Sequence, residues 1–218
     1  MEQVWFEAGD GVRLEGELRR PDGVIRGSAV LCHPDPRAGG SKDHPLLWAI
    51  RNDLATRRLA VLSFNYRGVM GSGELEDARA AVGRVLQEAR GSVFACGWSF
   101  GASVAIRLAL QDERVSALAM LGMPLGDSGL DLPPLPPRAE LARFVRPVLL
   151  LAGEADPFCP VPDLKSLGRA LPASEVEFVP GTDHFFWHRE QETSRLVGEF
   201  AQRVLFGLVS PSARGSGR

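Results

Sequence analysis

Residues 28–32, 60–64, 93–96, 117–121 and 148–152 form five short, almost wholly apolar runs. A strand with one face in water alternates apolar and polar side chains. A strand apolar at nearly every position is covered on both faces, as in a parallel sheet packed between helices. Stripes of helical spacing fall between these runs. Leu46, Leu47, Ile50 and Leu54 make one, and Leu75, Ala78, Val82, Val85, Leu86 and Ala89 another. A proline-free stretch follows over 102–110, then a weaker stripe over 164–171, and last Leu196, Val197, Phe200 and Val204. This alternation predicts an α/β fold, a sandwich of three layers around a mostly parallel sheet.

The opening of the chain follows another rule. Over 12–19, Val12, Leu14, Gly16 and Leu18 alternate with Arg13, Glu15, Glu17 and Arg19, the pattern of a half-exposed antiparallel strand. Residues 4–7 are its expected hairpin partner across Gly9-Asp10-Gly11. We expect one domain over 1–208, with a disordered tail over 209–218. Prolines break the pattern over 124–147, which is too short for a large lid but placed to roof part of a site.

Gly97-Trp98-Ser99-Phe100-Gly101 reads G-x-S-x-G and stands between an apolar run and a helical stretch. In that setting the serine occupies the tip of a sharp strand-to-helix turn, and the two glycines make room for the neighbouring chain. The free N–H groups at the start of the following helix suit a developing anion. Ser99 is therefore the candidate nucleophile.

Such a serine needs a base, an acid to hold that base, and donors for the oxyanion. His33, His44, His184 and His188 are the histidines. Where a G-x-S-x-G serine tops an α/β sheet, acid and then histidine follow it in the chain, which selects the C-terminal pair. His184 lies in a loop after the apolar segment 176–179, whereas His188 is expected at the start of the last helix, so His184 is the candidate base. Glu154 and Asp156 both follow the run 148–152 at a glycine turn, where chemistry collects in open sheets. Asp156, fixed by Pro157, is preferred; Asp183 reads as a turn residue and Asp163 as a helix-start residue.

One oxyanion donor is expected to be the N–H of Phe100, the residue after the nucleophile. The second should come from the loop His33-Pro-Asp-Pro-Arg-Ala-Gly-Gly40, where Pro34 and Pro36 have no N–H to give. This leaves the backbone of Asp35, with its carboxylate turned away from the site. Met70, Trp98, Phe158 and Phe185 are candidate substrate contacts.

Composition excludes several other classes. The formal net charge is −2, with 25 basic against 27 acidic residues, and the arginines are scattered, so no nucleic-acid surface is read. No apolar run approaches the about 20 residues that span a bilayer. The first residues are acidic and carry no signal-peptide pattern; Cys32, Cys96 and Cys159 are odd in number and lie far apart, and Cys32 and Cys96 end apolar runs, as expected of reduced cytoplasmic thiols. No metal cluster is read.

These pieces together resemble the α/β-hydrolase superfamily, and within it the small bacterial hydrolases without a large cap, related to dienelactone hydrolases and acyl esterases. The pieces are His33-Pro-Asp-Pro with Gly39-Gly40, Phe64-Asn-Tyr-Arg-Gly68, Gly97-Trp-Ser-Phe-Gly101, Gly153-Glu-Ala-Asp156 and Gly181-Thr-Asp-His-Phe-Phe186, in family order. The resemblance implies an α/β-hydrolase sandwich, a Ser99–His184–Asp156 triad, no cofactor, and a small-molecule ester or thioester as substrate. Asp35 stands where the family more often has a second histidine, and Met70 where it usually has glycine. Dienelactone hydrolases proper carry cysteine at the turn, where this chain has Ser99. An acyltransferase or perhydrolase with the same triad, a non-catalytic binding protein on this fold, and a cysteine enzyme using Cys96 or Cys159 are the competing expectations.

Overall fold

A computed structural model describes residues 1–68, 71, 73–126, 132 and 134–207. The fold opens with β1 (Glu2–Glu7), β2 (Arg13–Arg19) and β3 (Gly27–Cys32), followed by α1 (Pro45–Thr56), β4 (Leu59–Phe64) and α2 (Glu74–Val85). It continues through β5 (Val93–Trp98), α3 (Phe100–Gln111), β6 (Val115–Leu121), the single turn α4 (Arg138–Leu141) and β7 (Val148–Gly153). It ends with α5 (Val161–Ala170), β8 (Ser174–Val179) and α6 (Glu190–Phe206).

The eight strands form one sheet in the order β1-β2-β4-β3-β5-β6-β7-β8. The pairs β1–β2 and β2–β4 are antiparallel. All pairs from β4 to β8 are parallel. The alternating segment over 13–19 forms the antiparallel edge, and the continuous apolar runs occupy the parallel centre. β3, β4, β5 and β7 are buried at every position.

Two apolar cores flank the sheet. On one side Phe94, Cys96 and Trp98 of β5 meet Leu46, Leu47, Ile50 and Leu54 of α1, with Val197 and Phe200 of α6. On the other, Val93 and Ala95 face α2, α3 and α5. Leu86 falls just past the end of α2, as its C-cap. The expected helix start at His188 is corrected: α6 begins at Glu190, and His188 sits in the preceding turn at a φ of 63°. No L side chain adopts that conformation inside a helix. Among the described residues, 124–147 contributes α4 and no lid domain. The segment 209–218 lies outside the described residues.

Chain order places the site. From β3 the chain steps one way to β4, then returns across β3 to β5 on the other side. The carboxyl ends of β3 and β5 therefore border the crevice where ligands bind in open α/β sheets.

Candidate active site

Ser99 has a φ of 56° and a ψ of −123°. That strain, of order 1–3 kcal/mol for a residue with a Cβ, is held by a very tight turn. A Cβ on Gly97 would lie 2.1 Å from the Gly101 carbonyl oxygen, and one on Gly101 would lie 2.0 Å from the Cys32 carbonyl oxygen. Both glycines are thus required by close backbone approach, the second by the passage of β3 against the start of α3.

Ser99 Oγ lies 3.0 Å from His184 Nε2, and His184 Nδ1 lies 2.9 Å from Asp156 Oδ2. All three residues are buried. The other Asp156 oxygen, Oδ1, accepts from the N–H groups of Phe158 at 2.9 Å and Cys159 at 3.1 Å. The two loops carrying Asp156 and His184 meet at Gly153, where a Cβ would lie 2.4 Å from the Asp183 carbonyl oxygen. Glu154 is exposed. Asp183 caps its own turn, accepting from the Phe185 N–H at 2.9 Å, and Asp163 stands in the first turn of α5.

Two residues beside this chain of contacts have positioning roles that the sequence reading missed. Gly122, just after β6, has a φ of 49°, and a Cβ there would lie 3.1 Å from both Asp156 Oδ2 and His184 Nδ1. Trp98, read as a substrate contact, also donates its indole N–H to the His184 carbonyl oxygen at 3.1 Å. A glycine directly after a buried strand is the only hint the first carries.

The loop after β3 forms one wall of the site. Asp35 caps a single 3-10 turn, Pro36–Ala38, accepting from the Arg37 N–H at 2.8 Å and pairing with its guanidinium at 2.7 Å. Burial opposes ionisation of Asp35, but the Arg37 bonds outweigh it and hold the carboxyl below its usual range. The side chain is thereby engaged by Arg37, while the Asp35 and Phe100 N–H groups have no acceptor among the described residues. Both residues line the same cleft as Ser99.

His33 pins this loop. Its Nδ1 is 2.6 Å from the Pro34 carbonyl oxygen, which makes Nδ1 the protonated nitrogen, and Nε2 accepts from the Tyr66 N–H at 3.2 Å. Burial pulls its pKa down to about 4. His44 caps α1, its Nδ1 accepting from the Leu46 N–H at 3.2 Å.

The cleft holds about 210 Å³ and is lined by Trp98, Phe158 and Phe185 among others. Met70 lies outside the described residues. The thiols of Cys32, Cys96 and Cys159 are buried and unpaired, and burial pushes each well above its ordinary pKa. A neutral buried thiol is a poor nucleophile. Among the described residues, no group of three or more His, Cys, Asp or Glu side chains is arranged to hold a metal ion, and no helix is long and apolar enough to cross a membrane.

A mostly parallel sheet with a strained serine at the crossover, and no lid domain among the described residues, defines a class of α/β enzymes. Residues 28–204 match the family described as "Alpha/beta hydrolase domain", and the chain belongs to that family. It is similar to the uncharacterized protein RP471 of Rickettsia prowazekii (strain Madrid E), at 25% identity over 217 residues covering 92% of this chain and 88% of that protein. Among solved structures it resembles an alpha-beta serine hydrolase homologue from Coxiella burnetii, with a TM-score of 0.78 and 25% identity over 90% of this chain and 95% of the other. It shares its fold with a lidless serine hydrolase from Xanthomonas campestris, with a TM-score of 0.76 and 23% identity over 93% and 94% of the two chains.

Proposed function

We propose that the protein is a serine hydrolase that cleaves small carboxylic esters or thioesters through an acyl-enzyme on Ser99. The observation that carries this reading is the unbroken contact from Ser99 Oγ to His184 Nε2 at 3.0 Å and from Nδ1 to Asp156 at 2.9 Å. His184 takes the serine proton as Oγ attacks the carbonyl carbon, then gives it to the departing alcohol or thiol. Asp156 holds the ring with Nδ1 protonated and stabilises the imidazolium. The N–H groups of Phe100 and Asp35 receive the oxyanion. Water, deprotonated by His184, attacks the acyl carbon; the bond to Ser99 Oγ breaks, His184 returns the proton to that oxygen, and the carboxylic acid is released. Membership of the hydrolase family and the likeness to a serine hydrolase homologue support the same reading. The three buried free thiols support a reducing, cytoplasmic setting for a single domain over 1–208.

The test is turnover of p-nitrophenyl esters and acyl-CoA thioesters, with covalent capture by a fluorophosphonate probe. Ser99→Ala is expected to abolish labelling and lower kcat by roughly 10⁴–10⁶. Labelling that survives the substitution, or a loss below about tenfold, overturns the assignment.

A further inference from the structure

The His184 ring is enclosed by other rings: Phe158 at 4.9 Å between centroids, Phe185 at 5.5 Å and Trp98 at 6.0 Å. From these the aromatic surface runs outward in a closed circuit. Trp98 meets Phe185 at 6.4 Å, Phe185 stacks on Trp187 at 6.3 Å, Trp187 meets His44 at 5.4 Å, and His44 returns to Trp98 at 4.3 Å. His44, Trp98, Phe158 and Phe185 line the cleft, Phe185 being 43% exposed, while Trp187, 49% exposed, lies outside the cleft lining and backs Phe185. Exposed aromatic side chains grouped at the mouth of an apolar cleft mark a binding surface.

The chemistry says which part of the substrate meets that surface. The ester C–O bond breaks as the leaving oxygen takes its proton from His184, and the acyl group stays on Ser99 Oγ. The departing alcohol must therefore lie over the imidazole, while the carbonyl oxygen turns toward Phe100 and Asp35. The imidazole side is the ring-lined side.

We propose that the alcohol part of the preferred substrate carries an aromatic ring, seated against Phe185 and Phe158 with Trp187 and His44 behind it. This rests on Ser99 being the nucleophile and His184 the proton donor. Aromatic pairs gain from edge-to-face or offset geometry beyond the area they bury. A saturated ring of the same size lacks that term, although its larger apolar surface favours it by hydration alone.

The experiment compares benzyl acetate, cyclohexylmethyl acetate and ethyl acetate. The first two share an acyl group and have alcohols of similar size; benzyl alcohol is the more acidic, so each kcat/KM is divided by the hydroxide-catalysed hydrolysis rate of the same ester before the two are compared. The expected kcat/KM for benzyl acetate exceeds that for cyclohexylmethyl acetate by about three- to tenfold. Phe185→Leu, and separately Trp187→Leu, are expected to bring the ratio close to one. Trp187→Leu, at a half-exposed position, keeps the test available if the other variant folds poorly. A wild-type ratio of one or below overturns the inference, as does a ratio that persists in both variants. Either result leaves the serine-hydrolase reading standing provided ethyl acetate turnover is lost in Ser99→Ala. Absence of Ser99-dependent turnover of all three esters overturns both.

Discussion

The indole N–H of Trp98 donates to the backbone carbonyl of His184 across 3.1 Å, tying the end of β5 to the loop that follows β8. Trp98 precedes Ser99 in the chain, so this bond fixes the distance between serine and imidazole through one short stretch of backbone. Trp98→Phe keeps most of the ring and removes the donor. A buried carbonyl left unpaired costs about 1–3 kcal/mol. We expect kcat to fall roughly three- to tenfold through loss of alignment, with a lowered midpoint in urea; unchanged kcat would show that the loop is held by other contacts.

Asp156→Asn tests which proton the histidine carries. Asp156 Oδ1 accepts from two backbone N–H groups, and the amide oxygen of asparagine is expected to keep that position. Its NH₂ group then faces His184 Nδ1, which must become an acceptor. The ring proton moves to Nε2, and His184 can no longer receive the proton of Ser99. The expected loss in kcat is about 10³–10⁴-fold at neutral pH, with little change in circular dichroism.

Gly122→Ala places a methyl group 3.1 Å from both partners of the Asp156–His184 contact, at a φ of 49°. The left-handed conformation adds about 1–3 kcal/mol of strain, and the methyl pushes carboxylate and ring apart. The expected outcome is a folded protein with kcat lowered by at least about tenfold and KM nearly unchanged. Wild-type kcat in this variant would argue against any positioning role for Gly122.

His33 gives the fold a pH dependence of predictable sign. Burial lowers its pKa from 6.5 to about 4, so the unfolded chain binds this proton more readily than the folded one. The stability it contributes is complete above pH 6.5 and is lost as the pH falls toward 4. Over the whole window the effect is about 3 kcal/mol. Protonation also takes away the acceptor that Nε2 offers to Tyr66. Urea midpoints measured from pH 7 to pH 4.5 are expected to fall more steeply for the wild type than for His33→Gln.

The parallel strands were legible because continuous apolar runs have no other comfortable place in a soluble α/β domain. The sharp turn at Ser99 was legible because Gly97 and Gly101 answer a steric demand that belongs to the turn itself. What could not be read is proximity across strands. Gly122 approaches Asp156 and His184 only because β6, β7 and β8 lie side by side, which is a matter of sheet order. His33 gave no sign that it would pin one loop to another, since the direction of a side chain at a strand's end depends on the neighbouring chain. His188 was expected in a helix because the apolar stripe of α6 has no sharp N-terminal signal; the helix starts two residues later, after a left-handed turn.

The helix that closes the fold, α6, packs directly against the first one, α1. Synthesis on the ribosome releases the chain from its N-terminus, so Ser99 emerges well before His184, and His184 before the helix that secures its loop. On the proposed assignment, activity therefore waits until α6 docks on a surface made at the beginning, and a ribosome that stalls within that helix yields a serine whose proposed base is not yet held.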